Sequence, residues 1–319
     1  MGETRISSIL HLIRRSRERG KKPPRPLALD HMMRDEPTIK EIPTEQFAEH
    51  ALHTLDSFFS RAKLKDEFEY ACALLRIRGM EGPGRDPLKE THLLIADMLG
   101  LMGGPLREDT KIRLALLTYC HLVEVDAIYG ILKNMLRVLE NERCSVEPFW
   151  EQYRSKVKGR KSRLEGVIPP SAKTVIKDIQ QHASKLGEHG IADLFEQIFD
   201  DDVRNSFFHS DYILYQNEFR SREGSFRKGN IVSSSMKIPD LIDLVNKALG
   251  FYQAFMECHR KHIRSYTEPK VVTGRILDDQ TVKVRITLLA DSQRGLYGFE
   301  SKSTNVVEEN EADTKVQQE

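Results

Sequence analysis

Residues 108–140 carry Leu, Ile and Ala at helical spacing without a proline, the longest such pattern in the chain. An apolar stripe of that length is stable only when other helices cover it, so it predicts the central helix of a bundle in a mainly α protein. Its most apolar part, 112–136, holds Arg113, His121, Glu124, Asp126 and Lys133. A membrane span needs about 18–20 predominantly apolar residues in a row, so none is expected here or elsewhere in the chain.

Proline and glycine divide the remainder. Residues 1–42 place Ile6, Ile9, Leu10 and Ile13 on one helical face and follow them with Arg14, Arg15, Arg17, Arg19, Lys21 and Lys22. The KKPPRP run at 21–26 then stops the helix, because consecutive prolines cannot continue it. This basic N-terminal helix and linker lacks a secretory pattern. It suits an RNA-binding arm, a membrane-surface helix, an organelle transit peptide, or a short docked helix with a solvated tail.

Residues 43–106 read as accessory helices. Pro43-Thr44 opens one with Phe47, Leu52, Leu55 and Phe59 on its apolar side; a second covers 65–77; a third covers 88–101 and breaks at Gly103-Gly104-Pro105. Residues 81–87 (EGPGRDP) are a loop. Residues 107–267 form the expected bundle. Its later helices cover 171–186 and 191–199, then run from the Asp200, Asp201 and Asp202 caps to about 219, and from Pro239 to near Tyr266.

Within the bundle, 154–163 carries six basic residues and no acid, a connection that is either solvated or in contact with phosphate. Residues 220–230 read as a basic loop. After Pro269 the composition turns β-branched: 271–276 and 281–288 predict two strands joined at Asp278-Asp279, with a third short strand at 296–299. This small β hairpin or meander, 268–302, precedes an acidic tail at 303–319, which is expected to be disordered.

A formal net charge of +1 gives no global pull toward nucleic acid or membrane, so such binding must come from local patches. Cys72, Cys120, Cys144 and Cys258 stand far apart without a C-x-x-C pair, which predicts reduced core thiols in a cytoplasmic protein. The chain has no P-loop, G-x-S-x-G, H-E-x-x-H or strand-linked G-x-G-x-x-G. His50/His53 and His259/His262 have H-x-x-H spacing, but no accompanying pattern completes a zinc set. They read as surface histidines, and no metal or other cofactor is expected.

The segment Arg204-Asn205-Ser206-Phe207-Phe208-His209 concentrates the chemistry. On a continuous helix over 204–216, Val203, Phe207 and Leu214 make a core stripe, while Asn205, His209, Tyr212 and Gln216 gather on the opposite side. The long arm of Arg204 reaches that polar cluster. An imidazole titrates near neutral pH, so His209 can take a proton from a ribose 2′-hydroxyl. A guanidinium holds two phosphate oxygens and stabilises charge that develops in transfer, and Asn205 can orient the imidazole or bind phosphate. Free N–H groups in the first turn also favour an anion, against the opposing charge of the three aspartates.

This segment resembles the R-x4-6-H signature of HEPN domains, in which a polar residue, often Asn, follows the Arg. The surrounding order is also similar: a long helix, a shorter one, the motif helix and a final long helix, over approximately 108–266. The resemblance implies an all-α bundle that dimerises so that the motifs of two copies line one cleft. It implies a metal-independent endoribonuclease, of the kind used as toxins or in phage defence, with RNA as substrate and an antitoxin or regulatory protein as a further partner. It assigns Arg204 to phosphate binding, His209 to general acid–base catalysis and Asn205 to a helper role. One subgroup carries a Tyr two residues after the His; here Tyr212 is three residues after it, so it is at most accessory.

Other readings stay open. Arg204 can pair with Asp201 or Asp211 while His209 caps a polar cluster, as in a noncatalytic HEPN-like interaction or sensor module. The basic segments, including Arg220, Arg222, Arg227 and Lys228, can bind RNA without chemistry or serve a nuclease as substrate tracks.

Overall fold

A computed structural model describes residues 44–76, 86–155, 167–222, 226–228, 231–275 and 283–306. The basic N-terminal helix, most of the 81–87 loop and of the basic connection at 154–163, the Asp278-Asp279 turn and nearly all of the acidic tail lie outside the described residues.

The described chain is mainly helical, with a two-stranded ribbon of β1 (Arg154–Ser155) and β2 (Val167–Ile168) and two small three-stranded antiparallel sheets toward its C-terminal end. The helices are α1 (Thr44–Lys65), α2 (Glu67–Leu75), α3 (Pro87–Met102), α4 (Glu108–Leu122), α5 (Asp126–Leu139), α6 (Ala172–Lys185), α7 (His189–Ile198), α8 (Asp201–Phe208) and α9 (Ile238–Arg264). Short polar side chains start several of them. Asp66, Asp86, Ser171 and Asp200 each accept a hydrogen bond from a first-turn N–H, satisfying a donor the helix cannot. Prolines at the starts of α3 and α9 occupy positions where a missing N–H costs nothing.

The apolar stripes meet in one core. Phe47, Leu55, Phe58 and Phe59 of α1 are fully buried, and Phe59 lies edge-on to Phe255 of α9. Gly250 of α9 lets the two helices approach, since a Cβ there would meet that of Ala48 at 3.3 Å. Tyr129 of α5, Phe195 of α7 and Phe251 of α9 continue the core in successive ring contacts of 5.8 and 5.4 Å. Helices α1 and α2 therefore contribute side chains to the same core as α9.

The expected long helix over 108–140 is two helices. Val123-Glu124-Val125 interrupts it, and α9, with 27 residues, is the longest helix among the described residues. Counted as one run, 108–139 is long and apolar enough to cross a membrane, but 72% of its most apolar window is buried inside the protein.

The C-terminal meander has the order β8 (Lys270–Gly274), β9 (Val284–Asp291), β10 (Gly295–Val306), with β9 in the middle. Ile286, Leu288 and Ala290 alternate inward along β9, as period-2 patterning requires. Phe299 packs edge-on to Phe68 of α2 at 5.2 Å. The third strand is longer than the four residues read from the sequence, because pairing with β9 carries it on past Phe299.

The largest departure lies after the motif. The helix expected to reach residue 219 stops at Phe208, and β3 (Tyr212–Tyr215), β4 (Glu218–Ser221) and β7 (Ser235–Lys237) follow as an antiparallel sheet in the order β3-β4-β7. Part of the expected basic loop belongs to β4 and to β5 (Phe226–Lys228), which pairs with β6 (Ile231–Ser233).

Candidate functional site: the end of helix α8 and its hairpin

Helix α8 is held at both ends by identifiable bonds. At its start, Asp200 Oδ1 accepts from Val203 N–H at 2.9 Å. The buried Tyr119 hydroxyl of α4 accepts from Asp200 N–H at 2.7 Å and donates to Asp200 O at 3.3 Å. Burial raises the Asp200 carboxyl above its ordinary range, opposed by the bond from Val203. Burial also pushes Tyr119 well above the usual phenol range, so it remains a proton donor.

At the other end, Ser210 adopts a left-handed conformation with φ 54°. Ser210 N–H donates to Phe207 O at 3.1 Å and Asp211 N–H to Ser206 O at 2.9 Å. This pair of bonds is the Schellman termination. Two residues on, the chain enters β3 and turns back through Gln216-Asn217, with φ of 47° and 65°, the two-residue loop that suits the twist of a hairpin.

The hairpin separates the polar cluster expected on a continuous helix. Tyr212 and Gln216 belong to the hairpin, not to the motif helix. The Tyr212 ring stacks on Phe219 at 5.2 Å and meets Phe207 at 5.5 Å, and Phe219 meets Phe226. Tyr212 is thus part of an aromatic ladder that seats the sheet on α8. Ser206 and Ser221 add a buried hydroxyl–hydroxyl bond of 2.8 Å between the same elements.

Arg204 is gathered with Asn205, Glu124 and Phe208. Its guanidinium pairs with Glu124 through Nε and Nη2. Nη1 donates to Asn205 Oδ1 at 2.7 Å, and the group lies 5.5 Å from the centre of the Phe208 ring. Glu124 reaches it because α4 and α5 break there. The alternative partners named from sequence are engaged elsewhere: Asp201 with Lys173 at 2.7 Å and Asp211 with Arg222 at 3.4 Å.

His209 caps the C-terminus of α8 and is exposed. Among the described residues its ring has no hydrogen-bond partner, and none joins it to Arg204. Five residues correspond to about 140° of helical rotation, so one copy does not aim the two side chains at each other.

The hairpin presents a further surface on the side of β3 away from α8. Phe208, Ile213 and Tyr215 are 50%, 59% and 49% exposed. Ile213 and Tyr215 share the outer face of β3, where the register brings them level with Arg220 and Ser235 and with Glu218 and Lys237. Arg220 donates to Glu218 at 2.8 Å and lies over the Tyr215 ring at 4.9 Å. Arg222, just past the end of the central strand β4, is exposed. Arg227 and Lys228 are on β5, and their side chains lie outside the described residues.

Of the H-x-x-H pairs, His50 and His53 are exposed on α1. His259 bonds to Leu74 O at 2.9 Å and stacks on Phe255, while His262 turns to a different set of groups. Sequence reading missed Glu124 as the partner of Arg204. Nothing local singles it out among the charged residues of its largely apolar run. The chain matches no protein-family model, no curated protein and no solved structure.

Proposed function

We propose that this chain is an endoribonuclease of HEPN type that cleaves without a metal cofactor and works as a homodimer with the α8–hairpin corner at its centre. The observation that carries the reading is the exposed His209 imidazole, without a protein partner among the described residues, at the end of the short helix that carries Arg204 and Asn205. In this reading His209 removes the 2′-hydroxyl proton and Arg204 stabilises the phosphorane charge. Asn205, bonded to Arg204 Nη1, fixes the guanidinium in place. The angular separation of Arg204 and His209 within one copy is why a second copy is invoked, and the exposed Phe208, Ile213 and Tyr215 supply an apolar surface for it.

The test is incubation of purified protein with single-stranded and structured RNAs in EDTA, followed by analysis of the ends. The expected products carry 2′,3′-cyclic phosphate, and His209→Ala slows cleavage on the order of 10²–10⁴-fold. Cleavage undiminished in that variant, or no cleavage of any RNA by the parent protein, overturns the reading.

A second reading rests on a different observation. Glu124 balances the charge of Arg204, which leaves an incoming phosphate a neutral pair. That favours a noncatalytic interaction module in which Arg204 clamps α8 to the α4–α5 junction. Arg204→Met then lowers stability while partner binding by the folded protein persists, and the parent protein cuts nothing.

A further inference from the structure

Away from α8, one turn of α9 and the facing turn of α1 bring together a carboxylate, a thiol and an imidazole. Asp56 of α1 and Cys258 and His262 of α9 place their ligand atoms within 4.8 Å of one another. Cys258 and His262 are four apart on one helix, so both project from the same face. Cys258 is fully buried and His262 nearly so, while Asp56 retains 33% side-chain exposure. A thiol closed off in this way is out of reach of a substrate, but a single ion needs only the opening at Asp56.

The surroundings suit ligation. His262 has one nitrogen 3.1 Å from Asp56 Oδ1, and Tyr70 Oη lies 2.6 Å from the other. Tyr70 is fully buried and packs, like Phe59, against the imidazole ring. Ligating histidines are held by such a bond at the second nitrogen, which sets the tautomer and the ring orientation. Lys261 also bonds Asp56, at 2.8 Å, but it is 63% exposed and can withdraw its ammonium into water along its flexible stem.

We propose that Asp56, Cys258 and His262 bind a divalent zinc-like ion, with a water from the opening at Asp56 as its fourth ligand, and that the ion pins α1 to α9. Thiolate with imidazole and carboxylate is a borderline-soft donor set of the kind zinc takes. On binding, the Cys258 thiol releases its proton to solvent, and Nε2 of His262 exchanges its hydrogen bond to Asp56 for the ion. The ring proton moves to Nδ1, which then donates to Tyr70 Oη, and the Tyr70 O–H bond rotates away from the imidazole so that its oxygen accepts. The metal-free cluster is itself hydrogen-bonded, so the chain folds without the ion and gains stability when it binds. The site is independent of Arg204 and His209, and its test does not read cleavage.

Full-length protein is stripped with chelator, then titrated with Zn2+ and with Co2+ as a spectroscopic substitute. One ion per chain is expected, with a thiolate-to-cobalt charge-transfer band and a thermal midpoint that rises with Zn2+. Cys258→Ser removes the band. Asp56→Asn and His262→Gln weaken binding by more than the roughly 10–100-fold typical of losing an outer-shell partner. Tyr70→Phe keeps the band and weakens binding within that range. His50→Ala/His53→Ala changes none of these. Absence of the band in the parent protein overturns the proposal whether or not any variant folds. So does Zn2+ binding that survives in folded Cys258→Ser/His262→Gln or is lost in His50→Ala/His53→Ala.

Discussion

Asp200 shows how one carboxylate can serve the motif helix and also cost the protein stability. Its oxygen caps α8 through Val203 N–H, but burial raises its folded pKa above the ordinary 3.8. The folded state therefore holds the proton over a window where the unfolded chain has lost it. Stability must fall as pH rises from about 3.8 through the folded value, and the deficit stays constant above it. An asparagine offers the same capping oxygen without a charge. Asp200→Asn should thus gain on the parent protein as pH rises through that window, in urea denaturation followed from pH 3 upward. A parent protein that gains on the variant as pH rises would show that the helix N-terminus, not burial, controls this group.

At the scale of elements, most helices were readable because their signals are local. Asp86-Pro87 and Ser171 announce starts, and Gly103-Gly104 a stop, each by chemistry confined to one turn. The α8 terminus carries a weaker signal. Val203, Phe207 and Leu214 fit a helical stripe, and that apparent period outweighed Tyr212-Ile213-Leu214-Tyr215, whose alternation fits a strand. The missing cue is the residue at the left-handed position: a glycine there would have marked the stop, and this chain uses Ser210. The left-handed conformation costs an L-residue about 1–2 kcal/mol, and glycine avoids most of that. Ser210→Gly should therefore stabilise the protein by up to about 1 kcal/mol, seen as a raised denaturation midpoint with an unchanged slope. Unchanged or lowered stability would show that the Ser210 side chain contributes more than its conformation costs.

For the whole molecule, local reading fails for a different reason: its decisive contacts are non-local. The placing of Phe59 against Phe255, or of Glu124 against Arg204, depends on how distant helices stack, and neither leaves a mark in its own neighbourhood. The motif residues were legible in the sequence, but their grouping was not. The fold joins Arg204 to Glu124 and leaves His209 at the rim. The end of α8 also exposes Phe208, and the outer face of β3 exposes Ile213 and Tyr215, each about half accessible. If two copies meet there, the contact is isologous, and each substitution counts twice. Ile213→Asp with Tyr215→Asp places four carboxylates in such an interface while leaving the buried face of β3, Tyr212 and Leu214, intact. Light scattering over a dilution series should show a dimer for the parent protein and a monomer of unchanged helical content for the double variant. The ribonuclease reading requires cleavage to disappear with the dimer. A parent dimer that cleaves no RNA favours the interaction module, and a double variant that dimerises as well as the parent places the partner contact elsewhere on the surface.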